Sequence, residues 1–198
     1  MPQAVVAHIT GLVLAGDHRS RMGGADQGLV DYHGLPLVEH VLGRFSPQVS
    51  SVMISASRNV DRYRNLVPRV VGDAASASAA FHGPLAGIHA GLMHAPTAWV
   101  AVVPCDAPQL PRALVARLAD AINARGALAA CARADGRMQP VFCMLSTSLV
   151  ASLDDYMAKG GRAVDGWLVT VNVVPVDFDD PIAFRNVNSA GALAGGAL

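Results

Sequence analysis

Short runs rich in valine, isoleucine and alanine alternate along this chain with stretches whose apolar residues recur at helical spacing. An apolar run without polar alternation must be covered on both faces, and a mostly parallel sheet with helices on each side is the layered arrangement that does so. The runs at 9–14, 52–55, 70–71, 99–103, 127–131, 141–145 and 171–178 read as strands. The stretches 37–45, 85–93, 114–123 and 149–157 read as helices. In 114–123, Leu114, Val115, Leu118, Ala121 and Ile122 fall on one face; Pro111 reads as the helix start and Gly126 as its stop. The expected architecture is one three-layer α/β domain over residues 1–198, with 74–80 a mobile loop and 190–198 a frayed tail.

Charged residues make up 15% of the 198, below the roughly 25% usual in soluble domains. Mean hydropathy is +0.36. No window reaches the ~18 uncharged apolar residues of a membrane span, so no membrane association is expected. The formal net charge is zero, which argues against a nucleic-acid partner, since such domains carry a basic face. Residues 1–10 contain no basic segment ahead of their apolar run, so a cleaved signal peptide is not expected. Cys105, Cys131 and Cys143 are odd in number and form no CxxC pair, as free thiols in a reducing cytoplasm would.

The first strand runs straight into Leu14-Ala15-Gly16-Asp17-His18-Arg19-Ser20-Arg21-Met22-Gly23-Gly24-Ala25-Asp26-Gln27. Small residues there let backbone N–H groups approach an anion, and Arg19 or Arg21 brings positive charge. The loop is neither a GxxxxGK[ST] phosphate loop nor a GxGxxG dinucleotide turn. Asp73 and Asp106 each follow another apolar run, so loop and carboxylates converge on the carboxyl edge of the sheet, where open α/β folds bind ligands. Asp106, in Pro104-Cys105-Asp106-Ala107-Pro108, reads as a metal-binding carboxylate or a turn aspartate. Asp73 reads as a nucleotide-site residue or an Asx turn. Gly83-Pro84-Leu85-Ala86-Gly87 reads as a helix start whose free N–H groups face an anion, or one packed closely on the sheet. Pro140 reads as an edge-strand proline, and Asn186 and Asn188 as Asx turns. His82, His89 and His94 lack metal-site spacing.

The opening loop resembles the LAGG-x-x-x-RMGG-x-DK signature of the molybdenum cofactor guanylyltransferases, and GPLAG, PCDxP, Gln139-Pro140 and Asn186-Val187-Asn188 extend the resemblance from about residue 9 to 188. It implies a Rossmann-like nucleotidyltransferase fold and transfer of GMP from GTP to molybdenum-bearing molybdopterin, with pyrophosphate released and Mg²⁺ as cofactor. It places Leu14, Ala15, Gly16, Gln27, Asp73, Gly83 and Asp106 at the nucleotide. Arg21 and Asp106 become catalytic, and Asp106 the metal ligand. Gln139, Asn186 and Asn188 fall on the pterin side. Molybdoenzymes or their chaperones are the further partners implied.

The chain departs from the family form at four points. Asp17 replaces a glycine, Gln27 a lysine, Ser55 an asparagine that many members carry, and Ser189-Ala190-Gly191-Ala192-Leu193 the usual TPEDL. Lys159 is the only lysine, so no neighbouring lysine substitutes for the one replaced by Gln27. Losing one preorganised donor to a developing anion costs ~10²–10³ in rate. An active or weakened guanylyltransferase, the favoured reading, a non-catalytic cofactor-binding scaffold and a cytidylyltransferase of the same pathway therefore stand as three readings. Asp17 as ligand to a second Mg²⁺, or compensation by Arg19 or Arg21, fits the first.

Overall fold

The computed structural model describes residues 8–15, 26–72 and 83–187. In chain order its elements are β1 (Ile9–Leu14), β2 (Asp31–Tyr32), β3 (Leu35–Pro36), α1 (Leu37–Phe45), β4 (Ser51–Ser55), α2 (Val60–Arg64), β5 (Arg69–Val71) and α3 (Pro84–His94). There follow β6 (Trp99–Pro104), α4 (Leu114–Arg125), β7 (Ala129–Ala134), β8 (Arg137–Ser146), α5 (Val150–Ala158), α6 (Val164–Thr170) and β9 (Val174–Phe178).

Seven strands form one sheet in the order β5-β4-β1-β6-β8-β7-β9. Only β8 runs against its neighbours; the β5, β4, β1, β6 half is parallel throughout, as is the β7–β9 pair. Each face carries its own core. On one, Val38, Val41 and Phe45 of α1, Tyr63 of α2 and Leu114, Leu118 and Ile122 of α4 are buried. On the other lie Leu85, Ile88 and Leu92 of α3, Leu153 and Met157 of α5, and Val164, Trp167 and Leu168 of α6. This is the expected three-layer arrangement, and strand β1 and helix α1 have the expected bounds.

Several expectations are corrected. The run 171–178 is a strand only from Val174, because α6 buries Val164, Trp167 and Leu168 at helical spacing before it. Residues 127–131 give way to β7 at Ala129–Ala134, and β8 begins at Arg137 rather than 141. Both shifts stem from the Asp135-Gly136 turn, whose φ values of 49° and 68° suit a tight two-residue hairpin. Pro111 does not start α4: Ala113 is the N-cap, and Pro111 lies in the preceding turn, its carbonyl accepting from Leu114 N at 3.2 Å. Gly126 does stop it, with the left-handed φ of 59° such a stop requires. Residues 74–80 and the tail 190–198 lie outside the described residues.

Pro140 is not on an edge strand, because β8 sits between β6 and β7. It escapes the ladder differently. The register passes from Cys131↔Cys143 to Arg133↔Met138, so residues 139–142 of β8 oppose Ala132 alone. Pairing of β8 with β6 runs only as far as Val102↔Cys143. The bulge therefore leaves Gln139 and Pro140 out of register with β7 and past the part of β8 that pairs with β6, so no ladder N–H is required of proline.

Candidate active site at the carboxyl edge of the sheet

Four parallel strands end level with one another. Leu14 of β1 is in register with Ser55 of β4 and with Pro104 of β6, and Ser55 with Val71 of β5. Pairing continues one residue past each end: Ala15 N donates to Ser55 O at 2.9 Å, Cys105 N to Leu14 O at 3.0 Å and Ala56 N to Val71 O at 3.0 Å. Leu14, Ala15 and Asp106 thus lie along one edge, and β5 ends there just before Asp73. Gly16, Asp17, Arg19, Arg21, Asp73 and Asn188 lie outside the described residues, as does His82.

Helix α3 caps this edge. Its N-cap, Gly83, has φ 101° and ψ −171°, a conformation open to glycine and strained for other residues. Four residues on, a Cβ at Gly87 would stand 2.9 Å from both Leu14 Cδ2 and Ser55 Oγ. The GPLAG segment is therefore packed tightly on the ends of β1 and β4. Ser55 is small enough to allow that approach.

The chain rejoins the described structure at Asp26, which is buried. Its carboxylate accepts from Tyr63 Oη at 2.6 Å and from Asn59 Nδ2 at 3.0 Å. Gly28 follows in a short 3₁₀ turn, so close that a Cβ there would lie 2.7 Å from Tyr63 Oη and 3.2 Å from Cys105. The base of the loop is thereby seated on α2 and on the residue preceding Asp106. Burial, and after it the Asp26 hydrogen bond, hold the Tyr63 phenol far above its ordinary range, so Tyr63 remains a donor. The sequence reading overlooked Asp26, Asn59 and Tyr63. The one available signal was the aspartate beside Gln27, whose partners are more than 30 residues away and carry no spacing pattern.

Asp106 sits half-buried immediately beyond β6. Loss of solvent pushes its carboxyl up to about 6, a backbone N–H bond offsetting part of that rise. Among the described residues no side chain pairs with this carboxylate. A desolvated carboxylate that no described side chain pairs could hold a hard divalent cation that takes its remaining oxygens from phosphates and water. No group of three or more His, Cys, Asp or Glu converges among the described residues, at Asp106 or elsewhere. His89 instead pairs with Asp154 at 2.8 Å, joining α3 to α5. The three cysteines are buried and unpaired to one another by disulfide, with burial raising each thiol.

The C-terminal segment closes the same edge. Phe184 packs edge-on against Phe142 and Phe178, with centroids at 5.0 and 5.3 Å. Two residues later Asn186 is exposed. Val187 N then donates to Asp106 O at 2.8 Å, and Val187 O accepts from Gln27 Nε2. Because β8 is antiparallel to β6, its bulge with Gln139 projects beyond the same end of the sheet. The structure therefore gathers Leu14, Ala15, Gln27, Gly83, Asp106, Gln139 and Asn186 at one edge.

Known proteins share both sequence and architecture. A family profile described as the MobA-like NTP transferase domain matches residues 11–171. A molybdenum cofactor guanylyltransferase of Cupriavidus taiwanensis is 44% identical over 190 residues, 93% of this chain and 94% of its own. One from Bordetella pertussis is 43% identical over 189 residues, again covering 93% and 94%. The crystal structure of molybdopterin-guanine dinucleotide biosynthesis protein A from Archaeoglobus fulgidus superposes with a TM-score of 0.76 at 23% identity, over 93% of this chain and 95% of that one.

Proposed function

Since the chain belongs to the MobA-like NTP transferases, among the molybdenum cofactor guanylyltransferases, we propose that it transfers GMP from GTP to molybdopterin, or molybdenum-bearing molybdopterin, at the edge described above. The observation that carries this reading is Asp106: a half-buried, side-chain-unpaired carboxylate placed level with the loop that leaves β1.

In this reading the backbone of Leu14, Ala15 and Gly16 and the N-terminus of α3 at Gly83 hold the nucleotide, Asp73 lies at its ribose or base, and Arg21 faces the phosphates. Asp106 holds Mg²⁺, which when bound neutralises charge on the triphosphate. A phosphate oxygen of the acceptor attacks the α-phosphorus as the bond to the bridging oxygen breaks. The electron pair leaves with pyrophosphate. The protein needs no covalent nucleophile, because positioning and charge stabilisation supply most of the acceleration in such transfers. Gln139, Asn186 and Asn188 lie on the acceptor side. Among the described residues no helix is long and apolar enough to cross a membrane; the cytoplasmic location belongs to the proposal and follows from the resemblance.

Calorimetric titration with GTP and Mg²⁺, repeated with CTP and with Asp106→Ala, tests this. Magnesium-dependent GTP binding that the substitution abolishes is expected, with CTP binding more weakly. Absence of binding by either nucleotide at millimolar concentration rejects the proposal. A preference for CTP moves the chain to cytidylyl transfer.

A further inference from the structure

Gln27 stands where the resemblance calls for a lysine at the phosphates, yet its amide is engaged elsewhere: Nε2 donates to Val187 O. The same residue is held from its other side, Val187 N donating to Asp106 O at 2.8 Å. One peptide segment therefore joins the end of the nucleotide loop after β1 to the metal-site aspartate after β6. Upstream, Phe184 fixes the segment between Phe142 and Phe178, and Arg185 N–H closes a turn on Ile182 O at 3.0 Å. Between the aromatic anchor and the Val187 clamp lie Arg185 and Asn186, both exposed. A neutral carboxamide suits a backbone carbonyl, which accepts an uncharged donor without the solvation demand of an ammonium group.

We infer that Gln27 is a positioning residue for the acceptor: its bond to Val187 holds the segment bearing Arg185 and Asn186 against Asp106, so that these groups meet the phosphorylated acceptor as it approaches the α-phosphate. This rests on the guanylyl-transfer reading for its substrate, but the clamp itself does not depend on turnover. The departure from lysine at position 27 then trades a phosphate cation for an acceptor-side fastening, and the consequence falls on the acceptor rather than on GTP.

The test uses the full chain carrying Gln27→Met, which keeps the length and removes the donor, and Gln27→Lys, which replaces the neutral carboxamide by the cation that the resemblance calls for. Steady-state transfer is measured with GTP and molybdopterin, GTP·Mg²⁺ affinity by calorimetry, and exchange of the Val187 amide by NMR. In Gln27→Met the KM for molybdopterin rises about fivefold, the equivalent of one ordinary neutral hydrogen bond. The dissociation constant for GTP stays within about twofold, and Val187 exchanges faster by a similar factor to the KM change. In Gln27→Lys the acceptor KM and the exchange rate stay changed as in Gln27→Met, while GTP binds more tightly because the cation at the phosphates is restored. The inference is overturned if Gln27→Met weakens GTP while leaving acceptor KM and Val187 exchange unchanged, which would make Gln27 a phosphate ligand. It is equally overturned if none of the three moves. A wild-type protein that transfers no GMP rejects the guanylyltransferase reading alone, and Val187 exchange in Gln27→Met then decides the clamp.

Discussion

Tyr63 Oη lies 2.6 Å from Asp26 Oδ1, a bond between two buried groups that fixes where the chain returns to the sheet after its glycine-rich loop. Tyr63 is the sole buried residue of α2, so this short helix is held in place by one side chain that is both core and donor. Removing only the hydroxyl, in Tyr63→Phe, leaves a buried carboxylate short of its best partner. Hydrogen bonds to charged groups are worth about 1.5–3 kcal/mol, so the melting temperature is expected to fall by about 3–12 °C for a chain of this size. Asn59→Gly keeps the left-handed backbone at φ 51° and removes the exposed amide that makes the longer, 3.0 Å bond to Asp26. Its loss should stay under about 1 kcal/mol. Thermal unfolding of the two variants checks the order, and equal losses would show that the tyrosine hydroxyl is not the anchor.

Asp106 is expected to set stability against function. Its carboxyl is pushed from 3.8 to about 6, first by burial. The folded state thus binds the proton more tightly than the unfolded state, and folding stability falls as pH rises through the window from about 4 to about 6. Asp106→Asn removes that cost. The variant should melt above wild type at pH 8 by the equivalent of about 1–3 kcal/mol, with the gain shrinking as pH drops through the same window and nearly gone at pH 4. The same variant should lose metal-dependent GTP binding. Melting curves at pH 4, 6 and 8 without metal provide the check; a pH-independent difference would mean that the carboxyl is not desolvated as described.

Two helical glycines should respond in opposite directions to alanine. Gly43 in α1 meets nothing within 4 Å, so Gly43→Ala gains helix propensity and should stabilise by about 0.5–1 kcal/mol. Gly87 in α3 would place a Cβ 2.9 Å from Leu14 Cδ2 and Ser55 Oγ. Overpacking of that kind typically costs about 1–3 kcal/mol and should outweigh the propensity gain. Displacement of α3 from the ends of β1 and β4 should also weaken GTP binding. Chemical denaturation together with nucleotide titration separates the two effects; a Gly87→Ala protein as stable as wild type would show that α3 is free to move.

The parts of this fold that could be read in advance were those with a periodic apolar signal. β1 and α1 were legible to the residue because every buried position in them belongs to one pattern. α2 was not, since it buries Tyr63 alone and has no period to detect. α6 was lost between valines that favour strands, although Val164, Trp167 and Leu168 carry helical spacing. The Asp135-Gly136 hairpin was legible and overlooked; its turn residues would have placed β7 and β8. The level ends of β1, β4, β5 and β6 followed from the alternation of runs, and with them the position of Asp106. The seat of Asp26 and the clamp on Val187 did not. Each joins residues far apart in the chain through one hydrogen bond, and a single long-range bond imposes no pattern on sequence.

Asp17 stands two residues past Ala15, in the loop that the proposed site assigns to the nucleotide. In the proposed site a carboxylate at this point of the loop would oppose the triphosphate. Two unit charges about 10 Å apart at an effective dielectric near 20 repel by roughly 1.7 kcal/mol, so removing one should tighten GTP binding by roughly tenfold. Asp17→Asn and Asp17→Gly separate the two ways this residue could act. If charge alone matters, both variants gain the same affinity, and the gain shrinks with added salt as the screening length falls from about 10 Å at 0.1 M to about 3 Å at 1 M. If glycine's backbone freedom matters as well, Asp17→Gly exceeds Asp17→Asn and the excess survives salt. The expected result is the first: equal gains at low ionic strength that largely vanish at high. Calorimetry at two salt concentrations measures this, and no gain in either variant would place Asp17 away from the phosphates.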